Sequence, residues 1–226
     1  MTASSLPDAI PWIASAELPS SAPGRNEIHL WSAGLRQTQA DESLLDAGEL
    51  QRALTMAPQR RDEFSIGRTV LRRLLAQYLD LPPEEFSISI GSNGKPLLNL
   101  ADPPLHFSLA HCRKQLMIAF AHSAVGLDLE TPRPVKSCLQ IARRLFQPRD
   151  IQLLESFAGH QQQEAFFRLW TAYEAAQKMH GEGLFGKYVS ASYNGQFMLD
   201  DGTIGAVCID QHAADPVEVR CFVYDS

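Results

Sequence analysis

Along the chain the spacing of apolar residues changes period several times, and each change marks an element. Glu27-Ile28-His29-Leu30-Trp31 alternates and predicts a first strand over 27–33. Residues 44–56 read as helical turns closed by Ala57-Pro58. Over 60–79 the apolar positions Phe64, Val70, Leu71, Leu74, Leu75 and Tyr78 recur at helical spacing. The polar face of that helix carries Arg60, Arg61, Arg68, Arg72 and Arg73, and an arginine face on a helix is ordinarily solvated. Pro82-Pro83 ends it. Residues 86–90 alternate again as a strand, and Gly91-Ser92-Asn93-Gly94-Lys95-Pro96 is a turn before a short apolar run.

After Pro103-Pro104 three more strands are expected, over 105–110, 116–121 and 125–130. Helices follow over 135–146 and 148–157, and 161–180 has the length and periodicity of the main helix of the second half. Residues 188–223 read as strands joined at Asn194-Gly195 and Asp201-Gly202, both hairpin turn signals. Residues 1–25 hold Pro7, Pro11, Pro19 and Pro23 among serines and alanines, the composition of a surface tail that Trp12 and Ile13 pin locally. Each half has one long helix and several short strands. The expected fold is therefore α+β in two similar-sized lobes: a tail over 1–25, a first lobe over 26–104 and a second over 105–226.

Composition narrows the function classes. At about 150 residues per domain, 226 residues allow one large domain or two small ones. An apolar fraction of 45% and a mean hydropathy of -0.16 exclude disorder throughout. Twenty basic against 26 acidic residues leave a net charge of -6, so there is no general attraction to nucleic acid or anionic lipid. Cys112, Cys138, Cys208 and Cys221 are far apart and lack metal-site spacing, which reads as reduced thiols in the cytoplasm. No uncharged apolar run approaches the roughly 18 residues of a membrane span. No basic region precedes the first apolar residues, so a secretory signal is not expected.

Candidate chemistry is concentrated in the second half. In Val125-Gly126-Leu127-Asp128-Leu129-Glu130 the apolar side chains share one strand face, so Asp128 and Glu130 share the other. Two adjacent carboxylates repel unless a cation or solvent intervenes, and hard oxygen ligands suit magnesium; the plainer reading is a strand with a wet polar face. Trp170, Glu174 and Lys178 are successive i, i+4 neighbours on the long helix, and the plainer reading there is a surface Glu–Lys pair. Lys95 beside Gly94 reads first as a solvated turn, because no phosphate-binding P-loop pattern is present. His111 and Cys112 are strand neighbours that point to opposite faces, which argues against a thiol nucleophile.

Taken in chain order, Gly94-Lys95-Pro96, Phe107-Ser108-Leu109-Ala110-His111, Val125-Gly126-Leu127-Asp128-Leu129-Glu130 and Trp170-Thr171-x-x-Glu174-Ala175-x-x-Lys178-x-x-Gly181-x-Gly183-Leu184 form a specific series. It resembles the 4'-phosphopantetheinyl transferase superfamily, in its larger single-chain class, over about residues 27 to 210. The resemblance implies a pseudo-dimer of two α+β lobes with the active site between them. It implies Mg2+-dependent transfer of phosphopantetheine from coenzyme A to a serine of an acyl or peptidyl carrier protein, releasing adenosine 3',5'-bisphosphate. The implied metal ligands are Asp128, Glu130 and Glu174. Lys178 matches the lysine that contacts phosphate oxygens, Lys95 the lysine near the nucleotide, and His111 the histidine of the 3'-phosphate region. Arg52, Arg60 and Arg61 are the first-lobe candidates for that phosphate. Glu174 or Glu130 could take the serine proton, directly or through a metal-bound water, and Glu174 is the preferred candidate base. The implied protein is a cytoplasmic monomer whose partners are coenzyme A and the carrier, with no nucleic acid and no membrane.

Three positions depart from the family pattern. Ala110 stands where a serine is usual, Cys112 where a second serine is common, and Tyr173 where the helix motif has lysine. Tyr173 keeps a hydroxyl but carries no fixed charge. These departures motivate an alternative, a carrier-binding homologue with weakened catalysis. A metal-dependent phosphoester hydrolase would also use the acids, but it gives no reason for the tryptophan–lysine stripe.

Overall fold

The computed structural model describes residues 4–5, 12–13, 19, 21–100, 105–181, 191, 193–210 and 216–225. In chain order, the strands of the first part are β1 (Ser4–Ser5), β2 (Trp12–Ile13), β3 (Glu27–Gly34), β4 (Ile88–Ile90) and β5 (Pro96–Leu98). Those of the second are β6 (His106–Cys112), β7 (Gln115–Ala121), β8 (Val125–Glu130), β9 (Tyr193–Met198), β10 (Ile204–Ile209) and β11 (Glu218–Val223). The α-helices are α1 (Ala47–Leu54), α2 (Pro58–Leu79), α3 (Cys138–Leu145), α4 (Pro148–Glu155) and α5 (Gly159–His180).

Strand β7 shows how the layers arise. Its residues 116–121 are all buried, because the strand is covered on both faces. Leu116, Ile118 and Phe120 pack with Val70, Leu71, Leu74 and Leu75 of α2. Met117, Ala119 and Ala121 pack with Val125, Leu127 and Leu129 of β8 and with Val207 and Ile209 of β10. One sheet, ordered β2-β11-β3-β7-β6, therefore lies between α2 and a second sheet ordered β1-β9-β10-β8. The far face of the second sheet is covered by α5, where Ala206 and Cys208 meet Ala175, Ala176 and Met179. A 22-residue helix thus covers the outer face of each sheet. The α+β expectation is met, but the sheets cross the expected boundary at residue 104. Strands β6, β7 and β11 belong with β3, and β11 pairs parallel to it, Cys221 opposite Leu30.

Most of the expected elements are present, with four differences. The signal at Asn194-Gly195 is not a turn: both residues lie inside β9, paired with Cys208 and Val207 of β10. The chain reverses at Asp201-Gly202 instead, where Gly202 has φ +80°. Here β10 runs alongside both residues, and pairing with it holds them extended despite the local turn preference. The expected strand over 86–90 shortens to β4, which among the described residues pairs only with β5. The tail over 1–25 and the strand start at 188 fall largely outside the described residues; within the tail, β1 pairs with β9 and β2 with β11.

The fourth difference concerns arginine. Arg68 and Arg72 are buried, not solvated, because α1 closes over that side of α2. Arg72 donates from Nε to Glu49 at 2.7 Å, from a terminal nitrogen to Asp46 at 2.7 Å and from the other to the Pro83 carbonyl at 3.0 Å. Glu49 also lies 3.4 Å from Arg68. Asp46 and Glu49 form the capping box that starts α1, so the cap and the ion network are one structure. Helical periodicity identifies which side chains share a face, but not which face a second helix will cover.

Arg72→Met should destabilise the fold by about 3–5 kcal/mol, because it strands the Glu49 charge in a buried site. Arg72→Met combined with Arg68→Met and Glu49→Leu, which removes the whole buried ion group, should recover much of the loss. Urea unfolding of both variants measures this, and equal loss in the two would show that the ion pair does not hold α1 to α2.

Candidate active site

Strand β8 and helix α5 build the site together. The alternation of β8 sends Val125, Leu127 and Leu129 into the layer between the sheets, and Gly126, Asp128 and Glu130 toward α5. Gly126 is required by the approach of the two backbones: a Cβ there would collide with the Ala175 carbonyl oxygen and crowd the Met179 amide. With α5 so close, Glu174 and Lys178 overhang the acids of the strand. One carboxylate oxygen each from Asp128, Glu130 and Glu174 can be chosen so that all lie within 4.8 Å of one another. The acid-bearing face of β8 is therefore covered by a helix rather than open to water.

Electrostatics at this cluster are strongly perturbed. Lys178 Nζ donates to Asp128 Oδ1 at 2.6 Å, across 50 residues of sequence, so Lys178 does not form the simple surface pair with Glu174. Asp128 Oδ2 is buried, with no hydrogen-bond partner among the described residues. Burial pushes the Asp128 carboxyl above its ordinary range, while the Lys178 ammonium pulls it back. Glu174 is pushed up to about 8, first by burial and then by the neighbouring Asp128 charge. Without a cation, Asp128 and Glu174 favour sharing a proton over carrying two adjacent negative charges. Glu130 is held by Arg133, which donates to it at 2.8 Å and stacks 5.3 Å from the centre of the Phe167 ring.

Three carboxylates, one of them with an orphaned buried oxygen, fit a divalent cation such as magnesium. The arrangement can concentrate positive charge from a metal and a lysine on one anionic group, which is what displacement at a phosphoryl centre requires.

The other expected site residues separate into groups. His111, exposed at the end of β6, lies 3.7 Å from Glu63 of α2. Arg52 lies over the adjacent Phe64 ring, 5.9 Å from its centre, so Arg52 and His111 both meet the same turn of α2. Arg60 is exposed, whereas Arg61 turns to Glu42 at 2.9 Å. Lys95 is not with His111. Its Nζ donates to the carbonyls of Val125 and Met179, each at 3.1 Å, at the opening end of β8. His111 belongs to the other end, where its neighbour Cys112 lies 3.0 Å from Thr131. The two ends of β8 are roughly 17 Å apart at about 3.3 Å per residue.

The departures from the motif also have positions. Tyr173 is buried beside Phe146 and Trp170, with ring centres 6.1 and 6.3 Å away, on a different side of α5 from Lys178. Ala110 is buried in the apolar layer between the sheets. Sequence reasoning missed Arg133 and Asn93. Arg133 sits between two prolines without periodicity, and Asn93 looks like an ordinary turn residue. Glu182, Gly183 and Leu184 of the helix motif lie outside the described residues.

Without metal, the folded protein holds between Asp128 and Glu174 a proton that Glu174 of the unfolded chain releases near 4.5. Stability contributed by this group should therefore fall as pH rises from about 4.5 through about 8. Excess magnesium should raise the melting temperature most at the alkaline end, where the acids ionise freely. Melting curves with chelator and with magnesium test this; no stabilisation of the wild type by magnesium would remove the cluster as a cation site.

Comparison with known proteins adds the family. A sequence model described as the 4'-phosphopantetheinyl transferase superfamily matches residues 124–208, the span from β8 through α5 to β10. The chain is similar to the 4'-phosphopantetheinyl transferase HetI of Nostoc sp., with 35% identity over 167 residues, 70% of each chain. It is 34% identical over 143 residues to the 4'-phosphopantetheinyl transferase AcpT of Salmonella typhimurium, covering 62% of this chain and 70% of the relative. With the 4'-phosphopantetheinyl transferase Sfp of Bacillus subtilis it shares 25% identity over 160 residues, 71% of this chain and 68% of the relative.

Proposed function

Because the chain belongs to the 4'-phosphopantetheinyl transferase superfamily and is an enzyme of that kind, we propose that it moves phosphopantetheine from coenzyme A to a serine of an acyl or peptidyl carrier protein. The observation that carries the reading is the convergence of Asp128, Glu130, Glu174 and Lys178 at the contact of β8 with α5. Adenosine 3',5'-bisphosphate is the product left behind. The serine hydroxyl attacks the phosphorus that bears pantetheine, the bond from that phosphorus to the bridging oxygen of the nucleotide breaks, and the serine proton must be taken up.

Asp128, Glu130 and Glu174 would hold a magnesium ion, which when bound supplies positive charge to the pyrophosphate oxygens. Lys178 adds a second positive group beside it and neutralises charge on the leaving side. Glu174 is the candidate acceptor of the serine proton; in that role it would leave most of the metal binding to Asp128 and Glu130, because a carboxylate that fully ligates a cation is a poor base. Arg52, Arg60 and His111 are the groups proposed for the 3'-phosphate, since all three are exposed near the first turns of α2. Free thiols at all four cysteines support a cytoplasmic setting, and we read the protein as a monomer. Among the described residues no helix is long and apolar enough to cross a membrane.

Retention of all four converging groups favours turnover over a carrier-binding protein that has lost it. Tyr173 replaces a lysine without removing any of the four, and its ring belongs to the aromatic cluster.

Incubation with a fluorescent coenzyme A analogue, magnesium and a carrier domain should label the carrier, and no labelling across a panel of carriers would overturn the reading. Lys178→Met should reduce turnover at least about a hundred-fold, the scale of one preorganised donor. Tyr173→Phe should cost less than about ten-fold. The reverse order in steady-state assays would mean that the tyrosine has taken over the charge-neutralising role.

A further inference from the structure

The turn between β4 and β5 closes onto the end of α5. Gly94 has φ +83°, a backbone conformation that favours glycine, and the Gly91 amide donates to the Lys95 carbonyl at 2.8 Å. This geometry presents Asn93 and Lys95 to the last turn of the helix. Asn93 Nδ2 donates to the Gly181 carbonyl at 2.9 Å, and Lys95 Nζ donates to the Met179 carbonyl at 3.1 Å. A helix leaves its last carbonyls without intrahelical donors. The Gly181 amide returns to the Gln177 and Lys178 carbonyls, and Lys95 serves the next one along. An ammonium there also faces the negative end of the helix dipole.

The same ammonium donates to the carbonyl of Val125, the first residue of β8. One group thus ties the strand that bears Asp128 and Glu130 to the helix that bears Glu174 and Lys178. The Lys95 side chain is partly buried and two of its three donor directions are occupied, so little of it is left to meet a nucleotide. Its titratable neighbour His106 offers it no negative charge.

We propose that Lys95 is a positioning residue that fixes the axial register of α5 on β8, and is not the phosphate ligand that its place in the sequence suggests. The inference rests on the transferase reading for its kinetic consequences, though not for its structural ones. Gly126 sets how closely the helix approaches the strand, but a flat glycine contact permits sliding. A slide of one residue is about 1.5 Å. Lys178 reaches Asp128 at 2.6 Å, so a slide of that size takes it out of hydrogen-bond range.

The test compares Lys95→Met, Lys95→Arg and Asn93→Ala in the full chain. In Lys95→Met, kcat should fall about ten- to hundred-fold, the cost of displacing catalytic groups by around 1 Å. KM for coenzyme A, and the preference for it over dephospho-coenzyme A, should stay at wild-type values. Lys95→Arg should recover part of kcat. Amide hydrogen exchange over residues 174–181 should speed up in Lys95→Met and, to a smaller extent, in Asn93→Ala, and Mn2+ should bind more weakly to both. A raised KM with loss of the preference for coenzyme A, and unchanged exchange in α5, would overturn the proposal and make Lys95 a phosphate ligand. If the wild type labels no carrier, the transferase reading fails by itself, and exchange and Mn2+ affinity still decide the role of Lys95. Should Lys95→Met not fold, Asn93→Ala carries the same two readouts.

Discussion

The contact between the backbones of β8 and α5 is the constraint on which the site depends. It exists because Gly126 has no side chain: any Cβ would strike the Ala175 carbonyl. The approach brings a helix directly over the polar face of a strand, so the carboxylates of Asp128 and Glu130 lose water that such a face normally keeps. Loss of water raises the energy of the charged forms, and cations become the partners that restore it. Lys178 and Arg133 do so within the protein, and a divalent ion suits the remaining oxygens.

Two buried charge clusters in this molecule differ in how their charges are balanced. Around Arg72 the donors find Glu49, Asp46 and a carbonyl, and Glu49 is itself part of a helix cap. That cluster holds α1 to α2, although Glu49 Oε1 and Arg68 Nη1 have no hydrogen bond among the described residues. Around Asp128 one oxygen is left over and Glu174 is pushed far from its ordinary range. A cluster left open in this way is costly to fold around and useful for binding, which is why perturbed groups concentrate at functional sites.

The layering gives both clusters their setting. The 22-residue helices α2 and α5 cover the outer faces of the two sheets, and the sheets bury a common apolar layer between them. The turn carrying Asn93 and Lys95 comes from the first part of the chain but completes the end of α5. The site is thus supported from both parts of the chain.

Local pattern by itself determined the long helices, the strands β3 and β6 to β8, and the shared face of Asp128 and Glu130, because these follow from periods of 3.6 and 2 that any neighbourhood must respect. The stripe of Glu174 and Lys178 was legible for the same reason, and the order of the motifs pointed to the family. Only the tertiary structure decided which polar faces are covered. Arg68 and Arg72 went inside because α1 packs over them, Asn194-Gly195 stayed extended because β10 runs alongside, and β11 crossed back to pair with β3. Lys95 sits on the last turn of α5 because the β4–β5 turn closes there, more than 80 residues away along the chain. Such contacts depend on the rigid placement of distant segments, and no residue spacing within either segment encodes that placement.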